Sequence, residues 1–247
     1  MNHSSVVYTR LPEAALRCRC AEALEFGVAD LHEAMGPLAG RRTLMDPSMK
    51  GLNAGLRIAG PAVTAWCDPG DNLMVQKALR LAAPGQVVVL SNGGGHQGAL
   101  FGEMMSTYVL EKKLAGVVVC GPIRDVDVLR EMRVPIWSTW ISPSHPERRG
   151  PGAVNVPVHC AGITVNPGDI VMADGDGVIA IPPRDFERTV EGARLRVAKE
   201  ARVIAALRNG EHLFELTGAD AVFQQLGIED RETDWESDQQ RQASAAN

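Results

Sequence analysis

The sequence predicts an α/β fold, a single domain with parallel βαβ units, a β-rich second half and a long C-terminal helix. Between residues 60 and 140, short continuous apolar runs alternate with segments of helical spacing, the pattern of parallel βαβ units. Residues 151–183 hold short β-rich runs separated by Pro-Gly, Gly-Asp and Asp-Gly turns. Residues 184–207 then give one long helical stretch.

In chain order, 11–35 has helical spacing with a break at Phe26-Gly27, and 28–35 is a capped short helix stopped by Gly36-Pro37. Gly60-Pro61 starts a strand, Ala62-Val63-Thr64-Ala65-Trp66. Leu73, Val75, Ala78, Leu79 and Ala82 mark a helix over 72–83 that Pro84-Gly85 ends. Gln86-Val87-Val88-Val89-Leu90 is an apolar run of the kind buried on both faces. A Gly-rich turn follows, then a helix over 99–113. Gly116-Val117-Val118-Val119-Cys120 is a second buried strand, Gly121-Pro122 turns the chain into a helix over 124–132, and Pro135-Ile136-Trp137-Ser138 is a third. Strands are expected at 154–158, 163–165, 170–173 and 178–181. From Glu229 the chain is polar and acidic, so the expected division is an α/β domain over 1–228 and a disordered or loosely packed tail over 229–247.

The 247 residues carry 25 Lys plus Arg against 30 Asp plus Glu, a formal net charge of −5, which argues against a partner held by nucleic-acid phosphates. No apolar run reaches the roughly 18 residues of a membrane span. No apolar segment follows Met1-Asn2-His3-Ser4-Ser5 either, so a cytoplasmic protein is expected. The five cysteines, Cys18, Cys20, Cys67, Cys120 and Cys160, are dispersed as small hydrophobes in a reducing compartment would be. Cys18 and Cys20 stand too close for a zinc knuckle.

Two turns after predicted strands concentrate the chemistry: Ser91-Asn92-Gly93-Gly94-Gly95-His96-Gln97-Gly98, leading on to Gly102-Glu103, and Cys120-Gly121-Pro122-Ile123-Arg124-Asp125. Ligands collect at the carboxyl ends of parallel strands, where glycine amides and helix N-termini favour an anion. Gly93 to Gly98 matches G-x-G-x-x-G, but the next strand ends in Val119-Cys120-Gly121-Pro122 without the acid that holds a ribose, which argues against a dinucleotide site. Arg124 and Asp125 allow two readings, a surface charge beside a helix cap, or a carboxylate-gripping fork beside a hard oxygen ligand for Mg²⁺ or Mn²⁺. A metal, an Arg and Gly-loop amides together suit an α-keto acid. A Schiff base would need a lysine here, and none of the five lysines lies in either turn.

Gly102-Glu103 with its following helix, and Gly116-Val-Val-Val-Cys-Gly-Pro-Ile-Arg124-Asp125-Val-Asp, resemble the class II pyruvate aldolases. That family includes the 4-hydroxy-4-methyl-2-oxoglutarate / 4-carboxy-4-hydroxy-2-oxoadipate aldolases and shares its fold, of swivelling β/β/α type, with the regulator of ribonuclease activity A. The similarity continues through Gly152-Ala-Val-Asn-Val-Pro-Val and Val165-Asn-Pro-Gly-Asp-Ile-Val-Met-Ala-Asp-Gly-Asp-Gly-Val and spans about residues 25–210. The resemblance implies that the backbone of Gly102, Glu103, Met104 and Met105 holds a pyruvyl group, Arg124 binds its carboxylate and stabilises the enolate, and Asp125 ligates Mg²⁺ or another divalent cation. It places Glu103 near the metal's waters and matches Glu200 to an acid supplied by a neighbouring subunit. It implies cleavage of a 4-hydroxy-2-oxo di- or tricarboxylic acid to pyruvate and an oxo acid in aromatic-acid (protocatechuate or gallate) catabolism. Oxaloacetate decarboxylation would be a side activity, and the enzyme a homotrimer or homohexamer. Relatives commonly carry an acid three residues after the Asp; this chain has Val128 there and Asp127 one earlier. The same resemblance leaves a second class open, a protein-binding regulator of an RNA-degrading enzyme, whose branch lacks the acid at Glu103. His96 is either a solvent-facing loop residue or a substrate contact. Trp137 and Trp140 are expected in core or subunit contacts, and the cationic loop 142–150 either meets distal carboxylates or is solvated.

Overall fold

The computed structural model describes residues 5–245; the first four residues, part of the N-terminal segment read for targeting, and the last two of the tail lie outside that range. The chain divides into two compact units between Arg196 and Val197, inside its longest helix.

In order, the first unit runs β1 (Val6–Val7), α1 (Glu13–Arg17), α2 (Cys20–Ala23), α3 (Val28–Ala34), α4 (Pro37–Thr43), β2 (Lys50–Gly51), β3 (Ile58–Cys67), α5 (Leu73–Leu81), β4 (Val87–Ser91), α6 (Glu103–Glu111), β5 (Gly116–Ile123), α7 (Val126–Glu131) and β6 (Ile136–Ile141). It continues through β7 (Gly152–Val154), β8 (Val158–Cys160), β9 (Ile163–Val165), β10 (Ile170–Ala173) and β11 (Val178–Ile181) into α8 (Pro183–Arg208). Beyond α8 the second unit holds α9 (Leu213–Leu216), α10 (Ala219–Gln225) and α11 (Trp235–Ala245).

The main sheet runs β1-β7-β3-β4-β5-β6-β2. Its centre, β3-β4-β5-β6, is parallel throughout, as the alternating pattern predicts. β7 joins β3 antiparallel, and the first half of β3 pairs with β10, which pairs with β11. The valine runs are buried on both faces because both faces carry cover. Val88 and Leu90 of β4 and Val117 and Val119 of β5 pack with Val75, Leu79, Val109 and Leu129 from α5, α6 and α7. The alternate residues Val87, Val89, Val118 and Cys120 face a second core with Val158, Cys160, Val165 and Val178 from the later strands. A third core joins Phe26, Val28 and Leu31 to Ile179, Phe186 and Val190.

Several boundaries differ from the sequence expectation. The stretch 11–35 breaks a second time, at Cys18, which is extended at φ −68°, ψ 130°. The helix expected from 99 starts only at Glu103, because Leu100 donates its N–H to Pro122 O at 2.8 Å and Phe101 bridges Ile123, so 99–101 adds to the sheet. The helix expected from 124 starts at Val126, because Asp125 takes a left-handed conformation, φ 59° and ψ 31°. The run 154–158 splits between β7 and β8 around Asn155, which has φ 54°. α4, α9 and α10 carry too few periodic positions to be read, and 235–245 within the polar tail is helical.

Candidate active site

The carboxyl ends of β4, β5 and β6 bring three loops together. From β4 the chain passes through 92–102, from β5 through Arg124-Asp125, and from β6 through 142–150. Phe101 O accepts the Arg124 N–H at 2.9 Å, and Ile123 O accepts the Ser142 N–H at 3.0 Å, so the three ends are laced by main-chain bonds.

The corner between the first two loops holds six of the expected site residues. Asp125 stands at the N-cap position of α7 yet makes no side-chain cap bond. Its carboxylate turns back instead. Arg124 Nε donates to Oδ1 at 3.0 Å, and the Glu103 N–H donates to Oδ2 at 3.1 Å. A simple capping role is thereby ruled out, and a left-handed non-glycine backbone of this kind costs about 1 kcal/mol or more. Partial burial pushes the Asp125 carboxyl upward, but the Glu103 amide and the Arg124 hydrogen bond and charge outweigh it, and the net direction is down. The group is therefore an anion, a third or less exposed.

Gly102 explains why this corner closes. A Cβ there would lie 2.6 Å from Asp125 Oδ2 and 3.0 Å from Arg124 Cγ, so only glycine lets α6 begin against the pair. The N–H groups at the start of a helix have no partner inside it. In α6 the Glu103 amide goes to Asp125, which leaves those of Met104 and Met105 pointing out of a positive helix end. Gly102 O is held by both the Ser106 N–H and Oγ at 3.0 Å. The Glu103 and Met104 side chains are exposed, whereas Met105 packs on the core.

Arg124 spends Nε on Asp125, and that bond leaves the Nη end for a ligand. An oxygen-seeking divalent cation fits the donor set. Asp125 offers one ionised carboxylate with free lone pairs, and among the described residues no three of His, Cys, Asp or Glu gather. One carboxylate plus solvent matches Mg²⁺, which keeps most of its waters, and does not match a closed zinc site.

The other expected residues are placed as follows. Asp127 is 92% exposed on its side chain and bonds Arg130 at 3.0 Å, away from the corner. His96 is exposed and meets Trp140 edge-on, 4.5 Å between ring centroids. Trp137 is core and gives its Nε1–H to Asp174 O at 2.8 Å; Trp140 is 46% exposed. Glu200 belongs to the second unit, whereas every other expected site residue belongs to the first. The turn 93–98 does not open a helix, so the dinucleotide arrangement is not built.

Sequence reading missed the residues that shape the loops. Asn92, fully buried, accepts the Gly94 N–H and donates to Gly95 O at 2.9 Å. Ser144 accepts the Gly98 N–H at 2.9 Å on Oγ and the Ala99 N–H at 2.9 Å on its carbonyl, tying loop 142–150 to the glycine turn. Asp71, only 4% exposed, accepts from the amides of Leu73, Arg149 and Gly150. Asn before a glycine run was the one available signal.

A family model described as RraA-like, Aldolase/RraA, matches residues 28–180, which contain the whole corner. The chain belongs to the Aldolase/RraA family. Among curated relatives of this Aldolase/RraA chain, a Halalkalibacterium halodurans protein provisionally named 4-hydroxy-4-methyl-2-oxoglutarate aldolase is 33% identical over 158 residues, 64% of this chain and 75% of that protein. Among solved structures, a protein from Pseudomonas syringae pv. tomato str. DC3000 has a TM-score of 0.70 at 28% identity, covering 85% of this chain and 100% of that one. Streptomyces coelicolor RraAS2, described as an unusual member of the RNase ES inhibitor RraA protein family, has a TM-score of 0.69 at 29% identity, covering 78% and 98%. The Aldolase/RraA fold therefore comes with two kinds of relative, one named as a lyase and one as an inhibitor.

Proposed function

We propose that this protein is a divalent-metal-dependent carbon–carbon lyase that cleaves a 4-hydroxy-2-oxo di- or tricarboxylic acid to pyruvate and a second oxo acid. Candidate substrates are 4-carboxy-4-hydroxy-2-oxoadipate and 4-hydroxy-4-methyl-2-oxoglutarate, products of aromatic-acid catabolism. The observation that carries the reading is the Gly102–Arg124–Asp125 corner, where an ionised carboxylate, a guanidinium and free helix amides converge without a Cβ between them.

Asp125 would hold Mg²⁺ or Mn²⁺ through its carboxylate, with Arg124 and the Glu103 amide fixing the carboxylate's direction. The cation, when bound, supplies Lewis acidity that polarises the 2-oxo group and stabilises enolate charge. The Arg124 Nη groups would grip the substrate 1-carboxylate as a fork, with the Met104 and Met105 amides beside it. Glu103, exposed on the first turn of α6, is the chain's own candidate to take the C4 hydroxyl proton. Breaking C3–C4 sends the electron pair onto the pyruvyl fragment, where Arg124 meets the growing negative charge. Losing carbon dioxide from oxaloacetate generates the same pyruvyl anion, which makes decarboxylation the expected side activity. The resemblance further assigns Glu200 of a neighbouring subunit to proton handling, and with it a trimer or a pair of trimers.

A second reading, an inhibitor of an RNA-degrading enzyme, is favoured by the RraAS2 likeness. The acid Glu103 beside Gly102 favours the lyase. Pyruvate release from oxaloacetate, coupled to lactate dehydrogenase, tests the choice. Release that needs Mg²⁺ and stops with EDTA or Asp125→Ala supports the lyase, and no release under any divalent cation rejects it.

A further inference from the structure

Cys120 is a free thiol that the lyase chemistry does not use. It lies within the buried strand β5, is 8% exposed, and its Sγ accepts the Ala161 N–H at 3.3 Å. Ala161 follows Cys160 directly at the end of β8, so the Cys160 main chain stands beside the Cys120 sulfur, and both side chains lie in the second core. Cys160 is fully buried, with its Sγ 3.9 Å from Met45 Sδ. The second core thus holds two neighbouring thiols, Cys120 at 8% exposure and Cys160 fully buried.

We propose that Cys120 and Cys160 form a peroxide-oxidisable dithiol, a modification site that closes into an intramolecular disulfide. The two sulfurs have different roles. The neighbouring Cys160 thiol is the largest influence on Cys120; burial opposes it, and the Ala161 amide and Ser91 side chain add to it, so the Cys120 thiol is lowered to about 6. The same pairing, together with burial, raises Cys160 well above the ordinary thiol value, so it keeps its proton. At neutral pH Cys120 is the thiolate and Cys160 the resolving thiol. The Cys120 thiolate attacks one peroxide oxygen, the O–O bond breaks, and hydroxide leaves to take a proton, giving a sulfenic acid and one water. The Cys160 sulfur, releasing its proton, then attacks Cys120; the S–O bond breaks and the second water leaves. The two thiols lose two electrons and the peroxide gains them.

The remaining cysteines are internal controls. Burial pushes Cys20 up to about 11 and Cys67 up to about 12, and Cys18 is raised as well, although Cys18 and Cys20 are more exposed than Cys120. Exposure and thiolate character therefore predict opposite orders of reaction.

The test uses the full-length protein treated at pH 7 with a small excess of hydrogen peroxide, quenched by alkylation under denaturing conditions and mapped without reduction. The expected product is a peptide pair linked through Cys120 and Cys160, reversed by dithiothreitol, formed before Cys18, Cys20 or Cys67 is consumed. Oxidation of Cys120 should slow about tenfold between pH 7 and pH 5 as the thiolate is protonated. In Cys160→Ser the Cys120 sulfenic acid should persist and be trapped by dimedone. Oxidation of Cys18 or Cys20 ahead of an intact Cys120, or Cys120 oxidised in the wild type without a link to Cys160, would overturn the proposal. Neither outcome depends on lyase activity.

Discussion

Gly102 carries more of the proposed site than any charged residue, because the hydrogen at its Cα is what admits Asp125 and Arg124. Gly102→Ala places a methyl 2.6 Å from Asp125 Oδ2, and either the carboxylate or α6 must move. A displacement near 1 Å at reacting groups costs on the order of 100-fold. We expect kcat/KM for pyruvate release to fall about 100-fold with the melting temperature little changed; near-normal turnover would mean that the corner is not where substrate binds. Arg124→Lys keeps the charge but removes the planar fork and the Nε bond to Asp125. It should cost roughly 100-fold in kcat/KM, through a lower kcat as well as a higher KM, which steady-state kinetics would separate. The sign of the Asp125 shift also constrains pH behaviour. A carboxyl lowered in the folded state contributes fully above its ordinary value and is lost only as pH falls through the folded one. A loss of activity in mildly acidic buffer would accordingly belong to another group.

At the scale of elements, the central strands were legible because a strand buried on both faces reads as an unbroken valine run, and β4 and β5 have such runs. The corner was half legible. Arg124 and Asp125 stood out by chemistry, but the late start of α6 did not, since Ala99-Leu100-Phe101 has helical composition and yields to β5 only through tertiary hydrogen bonds. Asp71 was invisible, because one aspartate between two elements has no period. Its carboxylate accepts the Leu73 amide at 2.8 Å and the Gly150 amide at 2.9 Å and also accepts from Arg149, so it both holds the turn into α5 and anchors loop 142–150. Removing it leaves three amides without their acceptor. Asp71→Ala should destabilise the protein by about 3 kcal/mol, measured as a shift in the denaturant midpoint at constant slope. A change under about 1 kcal/mol would show that water replaces the carboxylate and that the anchor is dispensable.

Over the whole molecule, the charge is unevenly divided. Residues 1–196 carry 20 basic and 20 acidic side chains, so the net charge of −5 falls entirely beyond Arg196. The unit with the corner is neutral, and an anionic substrate meets no net repulsion there. Assembly can be examined at this scale through Glu200. If a neighbouring subunit supplies that acid, inactive Asp125→Ala and inactive Glu200→Ala chains should restore activity when mixed under conditions of subunit exchange, since some sites regain both groups. Demonstrated exchange without any return of activity would remove Glu200 from the site. The central claim is that this molecule breaks a C3–C4 bond with a metal held at Asp125. Its most direct test is pyruvate release from 4-carboxy-4-hydroxy-2-oxoadipate and 4-hydroxy-4-methyl-2-oxoglutarate, with and without Mg²⁺, by the wild type and Asp125→Ala. The wild type with Mg²⁺ should turn over at least one acid, and neither EDTA-treated protein nor the variant should turn over any; full turnover by Asp125→Ala, or none by the wild type, would rule out the metal-assisted cleavage.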